Sequence, residues 1–303
     1  LPGLRTAFLN ELIAQARRRP DIFLVVGDLG YSVVEPFAAE FGGRFLNAGV
    51  AEQNMAGLAA GLASEGYHVF IYSIANFPVL RCLEQIRNDI AYHRLPVTVV
   101  SVGAGLAYGN LGYSHHAVQD VGIMRTIPEL TIISPADPGE AREAVEKLVE
   151  SPGPSYLRLG KAGETVLHSV RGIDQGPLMI RDRGGAGAIV ACGSILKSAL
   201  AAAELLEGRG LGLSVYSMPW LQPLERSKLA RLGQCRRLFV VEEHVEAGGA
   251  AALLREALVG GPLLVSFSLP ASALGLVGSQ DYMRQKAGLS PEELSRRIES
   301  ALA

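Results

Sequence analysis

A surplus of charge of either sign is missing from this sequence. Its 28 Lys and Arg residues nearly balance 30 Asp and Glu, for a formal net charge of -2, so nothing marks nucleic acid or an anionic membrane as a general partner. Cysteine is scarce. Cys82, Cys192 and Cys235 stand far apart without metal-ligand spacing, which argues against a metal site and makes free, buried thiols in a reducing, cytoplasmic compartment the expectation. No apolar run is long enough to span a bilayer and no signal peptide is evident, although a chain that starts at Leu1 is compatible with a removed leader. What is present, 303 residues with 49% hydrophobic and 19% charged side chains, suits two compact α/β domains with sizeable cores.

Helical and strand patterns alternate along the chain. Helical spacing over Leu4 to Arg18 precedes a β-branched strand from Ile22 to Val26. Further expected pairs are strand Val69 to Tyr72 with helix Leu80 to Tyr92, and strand Val97 to Val102 with a glycine-rich loop from Gly103 to Gly112. Strand Leu130 to Ser134 and helix Pro138 to Glu150 follow. Such alternation predicts a mostly parallel, doubly wound sheet with helices on both faces. Residues 166–187 lose the pattern and read as a linker with a short hairpin. A second α/β series then begins with strand Ala188 to Cys192 and helix Ser194 to Glu207. It includes helix Leu224 to Leu232 and ends in a helix whose start, Ser290-Pro291-Glu292-Glu293, carries its cap, proline and acidic residue in place. The expected division is therefore 1–165, linker 166–187 and 188–303.

One stretch organises the rest. Phe45 to Leu62 reads FLNAGVAEQNMAGLAAGL, in which small residues lead to Glu52, and Met55, Ala56, Ala59, Ala60 and Ala63 then recur at helical spacing. A carboxylate at such a strand-to-helix joint lies where parallel sheets bind ligands. It equally suits the positive end of the helix it opens.

GVAEQNMAGLAAGLASEG resembles the glutamate-bearing segment of the pyrimidine-binding domain in the transketolase family of thiamine diphosphate enzymes, and the resemblance extends over nearly the whole chain in the family's motif order. It implies that Glu52 holds a proton against the ring nitrogen of the cofactor's aminopyrimidine, in a dry pocket that strengthens the hydrogen bond. In IANFPVLRCLEQIRND it implies that Phe77 stacks on the pyrimidine, with Ile74 and Leu80 completing an apolar slot that keeps Glu52 dry. GDLGYS places Asp28 and Leu29 in a loop near the cofactor. Arg5, Ser32 and Lys161 fall where the family holds a substrate phosphate. In YGNLGYSHHAVQD, His115 takes the position of a histidine that handles substrate protons. Without the resemblance, Arg5 and Lys161 read as solvated charges, and Phe77 as core. The His115-His116 pair lacks a carboxylate or cysteine at metal-ligand spacing.

Two positions depart from the family pattern. Leu111 replaces an aspartate that reads a donor hydroxyl, and Gly103 stands where another substrate histidine usually lies. The Gly-Asp-Gly motif of the diphosphate-binding domain is also absent, since Gly27-Asp28 continues with Leu29. The resemblance therefore implies a beta-type subunit of a split transketolase. It would share thiamine diphosphate with an amino-terminal, diphosphate-binding subunit that holds Mg2+, in a dimer of heterodimers acting on small sugars. The rival readings are a beta subunit of a 2-oxo acid dehydrogenase or a deoxyxylulose phosphate synthase-like enzyme, and a non-catalytic scaffold.

Overall fold

The computed structural model describes residues 3–184 and 187–302; Gly185 and Ala186, inside the expected linker, lie outside the described residues, as do Leu1, Pro2 and Ala303. The strands are β1 (Ile22–Val26), β2 (Phe45–Asn47), β3 (His68–Ile74), β4 (Val97–Val102), β5 (Thr131–Ile133) and β6 (Ser155–Leu159). They continue with β7 (Leu178–Arg181), β8 (Ala188–Cys192), β9 (Ser214–Ser217), β10 (Trp220–Gln222), β11 (Arg237–Val245) and β12 (Leu263–Leu269). One sheet has seven strands in the order β10-β5-β6-β4-β3-β1-β2, and the other five in the order β12-β11-β8-β9-β7. All neighbours pair in parallel except β10 on β5 and β7 on β9. The fold is α/β, two mostly parallel sheets flanked by helices, as the alternation predicts.

Strands β1, β4, β6 and β8 are buried along their whole length. Helices cover both faces of such strands, which is why the sequence shows apolar runs there and no polar alternation. Helix Leu4–Arg18, strands β1, β4 and β8 and helix Pro138–Glu150 have the expected limits. Pro138–Glu150 owes its sharp start to Asp137, whose Oδ1 accepts from the amides of Gly139 and Glu140 at 2.8 and 2.9 Å. A proline at the first position adds to this.

Three segments differ from expectation. Leu80 to Tyr92 is not a regular helix: widened π turns at Phe77–Arg81 and Ile86–Ala91 flank a short Leu83–Gln85 turn. Pro78 offers no amide, and Cys82 sits at φ -111°, ψ 13°, so an ordinary ladder is broken. Leu224 to Leu232 shortens to a 3-10 turn, Arg226–Leu229, and one turn at Ala230–Gly233. Only Leu229 and Leu232 of these two turns are buried, too small an apolar face to support a longer helix. The 166–187 segment forms no hairpin among its described residues. It runs as a strap over Pro138–Glu150, with Leu167 donating to Asp137, and Gly172 and Ile173 donating to Glu143, before β7 joins β9.

Residues 220–222, from the stretch assigned above to the second domain, complete the edge of the first sheet. Trp220 pairs with Ile133, and the Ser134 amide donates to Pro219 at 2.7 Å. One apolar cluster accordingly runs from Met55 and Ile71 under the first sheet to Val190 and Leu238 in the second. Among the described residues no helix is long and apolar enough to cross a membrane. Cys82 and Cys192 are buried free thiols, as expected, while Cys235 is only half-buried.

Candidate active site

The strands of the first sheet bring most of the candidate side chains to one rim. Asp28, Leu29 and Ser32 follow β1, and Glu52 follows β2. Phe77 and Leu80 follow β3, whose last residue is Ile74. His115 lies in the loop after β4 and Lys161 follows β6, while Arg5 comes from the first turn of helix Leu4–Arg18. Carboxyl ends of parallel strands are where such sheets bind ligands.

Glu52 opens helix Glu52–Ser64 and is only 5% exposed. Arg81 Nη1 donates to its Oε1 at 2.9 Å, and the same guanidinium lies 4.2 Å from the centroid of the Phe77 ring. One flat group that bears N–H donors thus reaches both Glu52 and Phe77. His115 stands edge-on to Phe77, with ring centroids 5.3 Å apart. Its Nδ1 is 3.0 Å from Ser114 Oγ, which leaves Nε2 for a ligand. Asn76 fixes this loop by donating to the carbonyls of Ser114 and His116 at 3.2 and 2.7 Å.

The expected apolar slot is not closed within this chain. Leu80 is 53% exposed, Ile74 is half-buried, and it is Arg81 that covers the carboxylate. Leu80 falls on the outer side of the widened Phe77–Arg81 turn and lines an open cleft with Val50, Ala51 and Glu52. Asp28, at φ 55°, is tied to Asn47 by two hydrogen bonds of 3.0 Å, and its turn, half-buried Leu29 included, packs beside β2. His116 is buried with both ring nitrogens lacking a hydrogen-bond partner, and burial lowers its pKa. No metal-binding cluster of His, Cys, Asp and Glu occurs among the described residues.

Arg5 and Lys161 meet around Tyr108. Lys161 Nζ lies 4.8 Å from the Tyr108 ring centroid. Burial pushes the Tyr108 phenol up and that of Tyr72 up to about 12, while the nearby Arg5 cation opposes both shifts. Ser32 joins neither cation. It is exposed at φ 63°, and its amide donates to Glu35 Oε1 at 2.7 Å.

Sequence reasoning missed Arg81, Asn76, Tyr108 and Arg158. Arg81 follows Phe77 by about one helical turn, a spacing that could have flagged it. Arg158 is buried, donating to Asp120 Oδ2 at 2.7 Å and to the carbonyls of Ala117 and Glu243 at 2.7 and 3.2 Å. It ties the His115 loop to the second sheet.

The family description "Transketolase, pyrimidine binding domain" matches residues 2–163, and "Transketolase, C-terminal domain" matches 178–294. The chain is 33% identical to an apulose-4-phosphate transketolase subunit of Phocaeicola vulgatus, covering 86% of this chain and 85% of that protein. A 1-deoxy-D-xylulose-5-phosphate synthase of Geobacter sulfurreducens is 31% identical over 88% of this chain but only 44% of its own length. A solved structure described as a split gene transketolase, inactive beta4 tetramer, superposes with a TM-score of 0.86 at 31% identity, covering 99% of this chain and 98% of that one. The chain therefore belongs to the transketolase family, as the beta-type subunit of a split transketolase that works with a partner polypeptide.

Proposed function

We propose that this subunit takes part in moving a two-carbon ketol unit from a phosphorylated ketose to an aldehyde, using thiamine diphosphate shared with its partner. The observation that carries the reading is the Arg81 guanidinium, which bonds Glu52 while lying over Phe77. A planar aminopyrimidine needs those same two contacts, a carboxylate at a ring nitrogen and an aromatic face, so the residues present fit the cofactor. When bound, thiamine diphosphate supplies the electron sink that carbon-carbon cleavage of a ketose requires.

The protein's own contribution is binding, orientation and proton handling. With the cofactor bound, Glu52, almost out of water, would hold a proton at the pyrimidine edge, and Phe77 would fix the plane of that ring. His115 Nε2, beside Phe77, exchanges protons with substrate oxygens. Arg5 and Lys161 bind the donor's phosphate. Around this rim the chain exposes Tyr31, Val50, Leu80, Leu111 and Tyr113. Such a scatter of large apolar groups suits a face covered by the partner, which would supply the Mg2+ and diphosphate contacts. The homologue's beta-only tetramer, described as inactive, supports that need.

The direct test is Glu52→Gln in the complex of both subunits. Turnover is expected to fall by about a hundredfold or more while sedimentation shows the same assembly. Near-normal turnover would remove Glu52 from this role. Leu111, exposed where a hydroxyl reader is expected, favours a second reading in which the donor is a 2-oxo acid, as in a deoxyxylulose phosphate synthase-like reaction. Release of carbon dioxide from pyruvate without ketose cleavage would establish it. A scaffold role predicts that adding this chain leaves the partner's cofactor affinity unchanged in calorimetry.

A further inference from the structure

We propose that Tyr108 is a substrate-contacting, specificity-determining residue whose ring fills the space that Gly103 leaves open and whose phenol donates a hydrogen bond to the substrate. The proposal rests on the phosphoketose reading above.

Gly103 follows β4 at φ 103°, and a Cβ built there would lie 2.3 Å from both Cδ2 and Cε2 of Tyr108. No side-chain-bearing residue fits at 103 while the tyrosine ring stays in place. The ring is held by its surroundings, with Lys161 Nζ 4.8 Å from its centroid and the His115 imidazole at 6.3 Å. It therefore bridges the proposed phosphate cation and the proposed proton-handling histidine.

The corner is built for an anion. Among the described residues neither Arg5 nor Lys161 forms a salt bridge, and Glu164, on the loop after Lys161, is engaged by the Leu4 amide at 3.4 Å. The Tyr72 hydroxyl, in the same corner, is buried beside the Arg5 cation. Two cations with no carboxylate partner and two neutral phenols match the oxygens of a phosphate monoester and the adjoining sugar hydroxyl. A phenol donates one proton along one direction, so it selects by position where a flexible lysine does not.

Tyr108→Phe keeps the ring, and with it the contacts to Gly103 and Lys161, and deletes only the hydroxyl. In the two-subunit complex loaded with thiamine diphosphate and Mg2+, KM for a phosphorylated ketose should rise about tenfold, the size of one hydrogen bond to a charged group. Preference over the unphosphorylated sugar should shrink, while kcat and the calorimetric affinity for the cofactor hold. Gly103→Ala, whose methyl displaces the ring, should reproduce the rise in KM. An active complex whose Tyr108→Phe form keeps its KM overturns this inference alone, as does an equal loss in kcat and cofactor affinity. If the unsubstituted complex transfers no two-carbon unit from any phosphoketose, this inference and the functional reading fall together.

Discussion

Glu52 and Arg81 share a bond that the cofactor would have to replace. Their pair joins a carboxylate that is 5% exposed to a guanidinium that is 51% exposed, and a half-exposed pair contributes only about 0.2–1 kcal/mol. Arg81→Met should therefore tighten thiamine diphosphate binding to the two-subunit complex by at most about fivefold in calorimetry. Weaker binding would mean that Arg81 holds the cofactor and does not merely occupy its place. That Glu52, Phe77 and His115 belong to one candidate site was legible only through the family resemblance of their motifs, since Phe77 by itself reads as core. Arg81 and Tyr108 were not legible, since their proposed roles arise from stacking across loops: Arg81 over a ring in its own wide turn, Tyr108 over a glycine that follows a strand. No periodicity records such contacts.

Among elements, the strands and long helices could be read because their apolar patterns coincide with their burial. The strap at 166–187 could not, because acidic side chains hold it where apolar ones usually do. His168 Nε2 meets Glu140 Oε1 at 3.1 Å and lies 3.9 Å from Asp137 Oδ2. Burial works against its charge, but the two carboxylates prevail and raise its pKa above the ordinary histidine value. A raised folded-state pKa stabilises fully below the unfolded value and fades as pH climbs through the folded one. His168→Gln should flatten the decline in urea midpoint as pH rises above about 6.5, the ordinary histidine value, and an unchanged profile would show that the strap does not depend on that charge. The buried Arg158–Asp120 pair is a second such element, with Tyr156 also donating to Asp120 at 2.6 Å. Arg158→Met leaves a buried carboxylate without its cation and should cost about 3–5 kcal/mol in denaturant unfolding.

For the whole molecule, the second sheet serves as the wall against which the loop that carries His115 is pressed. Gly105, at φ 62°, leaves no room for a Cβ, which would stand 2.4 Å from Glu243 Cβ. The Val245 amide donates to Val118 at 2.9 Å, and Gly278 donates to Gly109 at 3.2 Å. Gly105→Ala should push the loop off this wall, lowering stability by about 1–3 kcal/mol and reducing turnover while far-ultraviolet circular dichroism is preserved. Full turnover would show that the loop keeps its shape unaided.

Strand β10 leaves its own half of the sequence to close the far edge of the other half's sheet. Recombination at the 166–187 junction would therefore hand the recipient a sheet with β5 uncovered, its amides and carbonyls free to recruit a neighbouring chain. Grafting either half onto a new scaffold would have to carry Trp220–Gln222 with the first half, so the heritable unit here is the interlocked pair of sheets.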